Sequence, residues 1–138
     1  MPAKYLWETG AVIISLMGLL HLRATLFTNK LYPRKEQLIK DMEETPLVMT
    51  EQLTMWKSWI GFNATHSSGA LFIGIVNYYL ALKHFDFLNN SHFLLLFTIA
   101  TVTFYVWVAA RFWFKVVLGL LTIACLCFIT SYILLQIN

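Results

Sequence analysis

Four apolar runs divide the chain, Leu6 to Phe27, Trp59 to Ala81, Leu88 to Ala110 and Val116 to Leu135. Each is about 20 residues long, enough for a helix rising 1.5 Å per residue to cross the roughly 30 Å apolar layer of a bilayer. A soluble fold of 138 residues has no interior large enough for so many, and only 12% of the residues are charged, against about 25% in soluble domains. The chain reads as an integral membrane protein. No period-2 alternation over segments of about 10 residues occurs, so a barrel is excluded and the expected fold is all-α: an antiparallel four-helix membrane bundle, one domain over residues 1–138. The length leaves no room for a second, water-soluble domain.

The first run follows a tail whose one charge is Lys4, with no small-residue cleavage pattern behind it. It reads as a span and not as a cleaved signal. Tyr5 and Trp7 are expected as interface anchors at one end, with Arg23 snorkelling at the other. Trp56, Trp59, Tyr78 and Tyr79 bracket the second run in the same way. Runs three and four are separated only by residues 111–115, which implies a helical hairpin.

Four spans put Lys4 and Lys83 on one side, and Arg23, Lys30, Arg34, Lys35, Lys40, Lys57, Arg111 and Lys115 on the other. The positive-inside rule makes the second side cytoplasmic, with both termini outside and the 28–56 loop inside. These positions account for the net charge of +3 without nucleic acid as a partner. In the long loop, Pro33 precedes a stretch with Leu38, Ile39 and Met42 on one face, which predicts a short amphipathic helix on the cytoplasmic surface. Thr45-Pro46 ends it and is expected to start another helix leading through Leu53 and Met55 into the second span.

Polar side chains inside a span are costly, so their placement carries information. On a helix turning 100° per residue, Trp56, Trp59, Asn63, His66, Ser67, Ala70, Gly74 and Asn77 share one stripe about 80° wide. Its plainest reading is a packed helix interface, with Ala70 and Gly74 permitting close approach. On the first span Ile14, Gly18, His21 and Thr25 share a face. His21 and His66 lie at similar depth, about 10 and 12 Å from the cytoplasmic ends of their spans, and Tyr105 lies about 9 Å from Arg111. His21, Asn63, His66, Ser67 and Tyr105, with Thr122, are therefore candidates to line one pocket in the cytoplasmic half. Arg111, Lys115, Arg23 and Lys57 would ring its mouth. Such a pocket suits a lipid-like or quinone-like amphiphile.

Two other readings stand beside it. The chain is an auxiliary subunit docking on other membrane subunits or on itself, or it is a histidine-dependent membrane enzyme or electron carrier with His21 and His66 as haem ligands. The cofactor, and whether any reaction is catalysed, stay open. A metal site is not expected, because two histidines lack a third strong ligand, and Cys125 and Cys127 point about 200° apart on a helix. There is no phosphate loop, nucleophile elbow or paired catalytic carboxylate.

The segment Trp56-Lys57-Ser58-Trp59-Ile60-Gly61-Phe62-Asn63-Ala64-Thr65-His66-Ser67-Ser68-Gly69, with Gly18-Leu19-Leu20-His21-Leu22, resembles a group of small uncharacterised bacterial four-span membrane proteins. That group carries a GFN-x-(S/T)-H core in the second span and G-x-x-H in the first. Arg111 after the third span also matches, whereas a proline expected at the start of the fourth is absent. The resemblance covers most of the chain and implies a four-helix fold in the bacterial inner (plasma) membrane. It directs attention to Asn63, His66 and His21, and implies no activity.

Overall fold

The computed structural model describes residues 2–137. Six helices and one small hairpin follow in order: α1 Pro2–Phe27, α2 Glu36–Glu44, β1 Pro46–Leu47, β2 Thr50–Thr54, α3 Met55–Lys83, α4 Phe85–Asn90, α5 His92–Phe112 and α6 Lys115–Ile137. The protein is all-α apart from the hairpin. Three helices, α1, α5 and α6, are long and apolar enough to cross a membrane. α3 is longer than any of them at 29 residues. Asn63, Thr65, His66, Ser67 and Ser68 dilute its apolar character.

Two of the connections differ from the sequence expectation. After α2, Thr45 is extended (φ −84°, ψ 117°), as a residue before proline prefers. The chain then forms an antiparallel β-hairpin and no second helix, pairing Pro46 with Thr54 and Leu47 with Thr50. Pro46 has no N–H to give and tolerates the first strand position. β2 carries the β-branched Thr50 and Thr54, and the Met55 N–H donates to Thr45 O at 2.9 Å, closing the hairpin base against α3. The second difference lies before α5, where the run expected to begin at Leu88 is broken. α4 ends at Asn90, Ser91 takes a non-helical conformation, and α5 begins at His92. Between α5 and α6 only Trp113 and Phe114 intervene.

The chain divides into two compact units, Met1–Leu16 with Ala70–Asn138, and Met17–Gly69. In the first, parts of four helices meet around Trp7, which is fully buried. Trp7 is thus a core residue and not the interface anchor expected from its place near the end of a span; Tyr5 is exposed. The Trp7 ring meets Phe128 of α6 edge-on with centroids 4.7 Å apart, a contact worth about 0.5–1.5 kcal/mol beyond its area. Its indole Nε1–H donates to Asn77 Oδ1 of α3 at 3.1 Å, and Thr98 Oγ1 of α5 donates to the same oxygen at 3.2 Å. Ser131 of α6 donates to the Ala3 carbonyl at 2.7 Å. Each of these polar groups is spent on a neighbour, as burial favours, whereas Glu8 Oε1 on α1 is buried with no hydrogen-bond partner among the described residues.

Gly74 lets α1 and α3 approach. A Cβ there would stand 2.6 Å from Ser15 N and 2.9 Å from Ala11 O, and would collide with Ser15 Oγ. The expected close approach on that stripe is therefore used inside the chain, between α3 and α1. Cys125 is buried, Cys127 is half-buried, and both are free thiols.

Candidate functional site

The histidine cluster lies within the Met17–Gly69 unit and is built one helical turn at a time. On α3, Asn63 is buried at 7% exposure. Its Nδ2 donates to the Trp59 carbonyl at 2.8 Å, one turn back, while Ser67 Oγ donates to the Asn63 carbonyl at 2.5 Å, one turn on. With the amide nitrogen committed, Oδ1 faces α1 and lies 3.1 Å from His21 Nε2. An amide oxygen only accepts, so this network assigns the proton of a neutral His21 ring to Nε2. One turn beyond, Thr25 Oγ1 donates to the His21 carbonyl at 2.9 Å.

His66 stands beside this pair. Its ring centroid is 6.0 Å from that of His21 with the planes at 89°. Phe62, one turn earlier on α3, lies parallel to it at 6.3 Å and 5°. Asn63 and Ser67 are buried, His21 is half-buried, and His66 and Phe62 are exposed. The cluster is thus anchored in the helix interface and opens outward through an imidazole and a phenyl ring. Two imidazoles at this separation can offer a donor and an acceptor to one polar group.

Of the residues expected to share a site, His21, Asn63, His66 and Ser67 come together. Tyr105 on α5 and Thr122 on α6 are half-buried and Arg111 in the last turn of α5 is exposed. All three belong to the other compact unit, where Thr122 Oγ1 donates to the Leu118 carbonyl at 2.8 Å. Phe62 was not anticipated. Its i, i+4 relation to His66 was the available signal, since that spacing stacks side chains on a helix.

A haem held by both histidines would need one ring nitrogen from each aimed at the iron. His21 Nε2 is hydrogen-bonded to Asn63, which leaves Nδ1 as the ring nitrogen that could act as a ligand. No group of three or more His, Cys, Asp or Glu that could hold a metal ion forms among the described residues.

The other unit contains a groove that the sequence did not announce. Phe72, Val76 and Asn77 of α3 face Phe97, Thr98 and Thr101 of α5 around a partly open cavity of about 350 Å³. Its wall is mostly apolar, with Asn77 and Thr98 already bonded to each other. Comparison with protein-family models, with curated proteins and with solved structures finds no match to this chain.

Proposed function

We propose that the chain is a four-span antiparallel membrane bundle whose histidine cluster takes the polar head of a lipid-like or quinone-like amphiphile. In this reading α3 crosses the membrane beside α1, α5 and α6, in the bacterial inner (plasma) membrane. The loop between α1 and α3 is cytoplasmic and both termini lie outside. Within one unit, Asn77 bonds Trp7 while Gly74 packs against Ala11 and Ser15, and this supports the antiparallel order, since the partner number falls on α3 as it rises on α1. The single observation carrying the functional reading is the His21–Asn63–His66 arrangement, a polar cluster with one exposed imidazole on a chain otherwise dominated by apolar helices. Ionisable side chains grouped at such depth are costly to place there and mark a candidate functional site. Arg23 and Lys57, exposed near the same helix ends, favour an anionic or carbonyl head.

Native mass spectrometry of the chain released from a mild detergent tests this. A stoichiometric added mass, lost in the His21→Ala, His66→Ala double variant, is expected. A bare chain overturns the reading.

A second reading, an auxiliary subunit of a larger membrane complex, is favoured by one observation. Gly61, Thr65 and Gly69 are exposed at four-residue intervals on α3, with nothing within 4 Å of a Cβ built at either glycine. This spacing lets membrane helices approach closely. Recovery of the chain only in company with another polypeptide would favour it.

A further inference from the structure

We infer that the tip of the β1–β2 hairpin, Val48 and Met49, is a bilayer anchor that sinks into the headgroup boundary of the membrane crossed by the helices on either side of it. The inference rests on the reading above that α1 and α3 cross a bilayer.

The local backbone does not ask for these residues. Tight hairpin turns favour Asn, Asp and Gly, chiefly where φ is positive, and this turn contains no residue with positive φ. A β-branched valine followed by methionine is a poor choice for turn geometry and for solubility. Both side chains are nevertheless held clear of the protein, Val48 at 110% and Met49 at 85% exposure, above every other large exposed hydrophobic residue described. Adjacent apolar side chains displayed in this way are suited to contact with an apolar phase.

The geometry at the base says which phase is within reach. β2 runs directly into α3, and the Met55 N–H bond to Thr45 O ties both strands to the first residue of that helix. The Lys57 N–H donates to Thr54 Oγ1 at 3.4 Å, one turn further in. Tyr32, from the segment leaving α1, meets Trp56 edge-on at 4.7 Å. Trp56, Trp59 and Tyr32 are the residue types that sit at headgroup level. From Met55 back to Met49 is six residues, at most about 20 Å of strand. The tip is therefore tethered within reach of the layer where the tryptophans lie.

The charges of the connector indicate what kind of surface it meets. Lys30, Arg34, Lys35 and Lys40 are outnumbered by Glu36, Asp41, Glu43, Glu44 and Glu51. The connector's own charges supply no net attraction to anionic headgroups, so apolar insertion carries the contact of the tip and neutral lipid suffices.

The test uses the full chain with Cys125→Ala and Cys127→Ala, reconstituted into phosphatidylcholine vesicles. An environment-sensitive fluorophore is placed on single cysteines at Met49, at Glu44 on the polar side of α2, and at Leu19 on the exposed face of α1. The label at position 49 is expected to be quenched by shallow spin-labelled lipid about threefold more than the label at 44, and correspondingly less by iodide. Equal iodide quenching at 49 and 44, with position 19 protected, overturns the anchor while leaving the membrane reading intact. Iodide access at position 19 overturns both.

A second variant removes ambiguity from the labelled tip. Val48→Asn with Met49→Gly forms the turn more readily, so a label at Thr50 should lose its lipid quenching while the hairpin persists. Unchanged quenching at Thr50 overturns the anchor.

Discussion

The indole Nε1–H of Trp7 on α1 donates to Asn77 Oδ1 on α3 at 3.1 Å, and the same device recurs with His21 and Asn63. Trp7 and His21 are fourteen residues apart, as are Asn63 and Asn77. Each asparagine turns Nδ2 back to the carbonyl four residues earlier and shows its oxygen to an α1 ring N–H. Fourteen residues are close to four helical turns, so on each helix the two residues are separated by nearly whole turns.

The Trp7–Asn77 bond predicts an asymmetry between its partners. Asn77→Leu strands two buried donors, Trp7 Nε1 and Thr98 Oγ1, and should destabilise the chain by about 1–3 kcal/mol. Trp7→Phe leaves Asn77 Oδ1 still bonded to Thr98 and removes one interaction plus part of the contact with Phe128. The two changes should be non-additive in a double-mutant cycle of thermal unfolding in micelles. Additivity within about 0.5 kcal/mol would show that the bond contributes nothing.

Glycines on α3 should sort by what lies opposite. Gly74→Ala puts a methyl into the Ser15 and Ala11 backbone, and overpacking of that kind costs about 1–3 kcal/mol. Gly61→Ala and Gly69→Ala meet nothing within 4 Å, and alanine in a helix interior is favoured over glycine by about 0.5–1 kcal/mol. Melting temperatures should therefore fall for the first and hold or rise for the other two. Equal losses at all three positions would contradict the packing described for Gly74.

These contrasts also show what could be read in advance. Apolar run length forecast the long helices, because a bilayer sets a minimum length that composition cannot disguise. Of the stripe on α3, Asn63, Ser67, Gly74 and Asn77 are buried, as one helix face packed on a neighbour would be, whereas Trp59 and His66 on the same stripe are exposed. Trp7 was misread because an aromatic near the end of a span fits the membrane interface and the core equally well. Only its neighbours Phe128 and Asn77, far off in sequence, decide between them. The hairpin was missed for a similar reason: Thr45-Pro46 marks a break, but strand pairing depends on which residues return to meet it. The short helix α4 was missed because Asn89, Asn90 and Ser91 mark a turn without revealing that a helical turn precedes it.

The His21–Asn63 bond makes a spectroscopic prediction. While Asn63 Oδ1 holds Nε2–H, the neutral His21 ring should be a single tautomer. Long-range nitrogen–proton correlation spectra at high pH should show His21 with the proton on Nε2. Asn63→Leu should return a mixture of tautomers, with little change at His84, which is exposed and distant in sequence. A His21 signal unaffected by Asn63→Leu would mean that the hydrogen bond does not govern the ring.

The side of the membrane reached by α4 decides whether α3 crosses it. Three helices are apolar enough by themselves, and with three spans residues 28–54 and 84–91 would share a side. With α3 as a fourth span they lie on opposite sides. Single cysteines at Lys35 and Lys83, both exposed, report this directly in a background with Cys125 and Cys127 replaced by alanine. An impermeant thiol reagent added to intact cells should label position 83 and leave position 35 unlabelled until the membrane is opened. The direction follows from the eight basic residues expected on the inner side against two on the outer. Labelling of both positions from one side would show that α3 enters without crossing, and would remove the four-span bundle. The reverse pattern would keep four spans and invert their orientation.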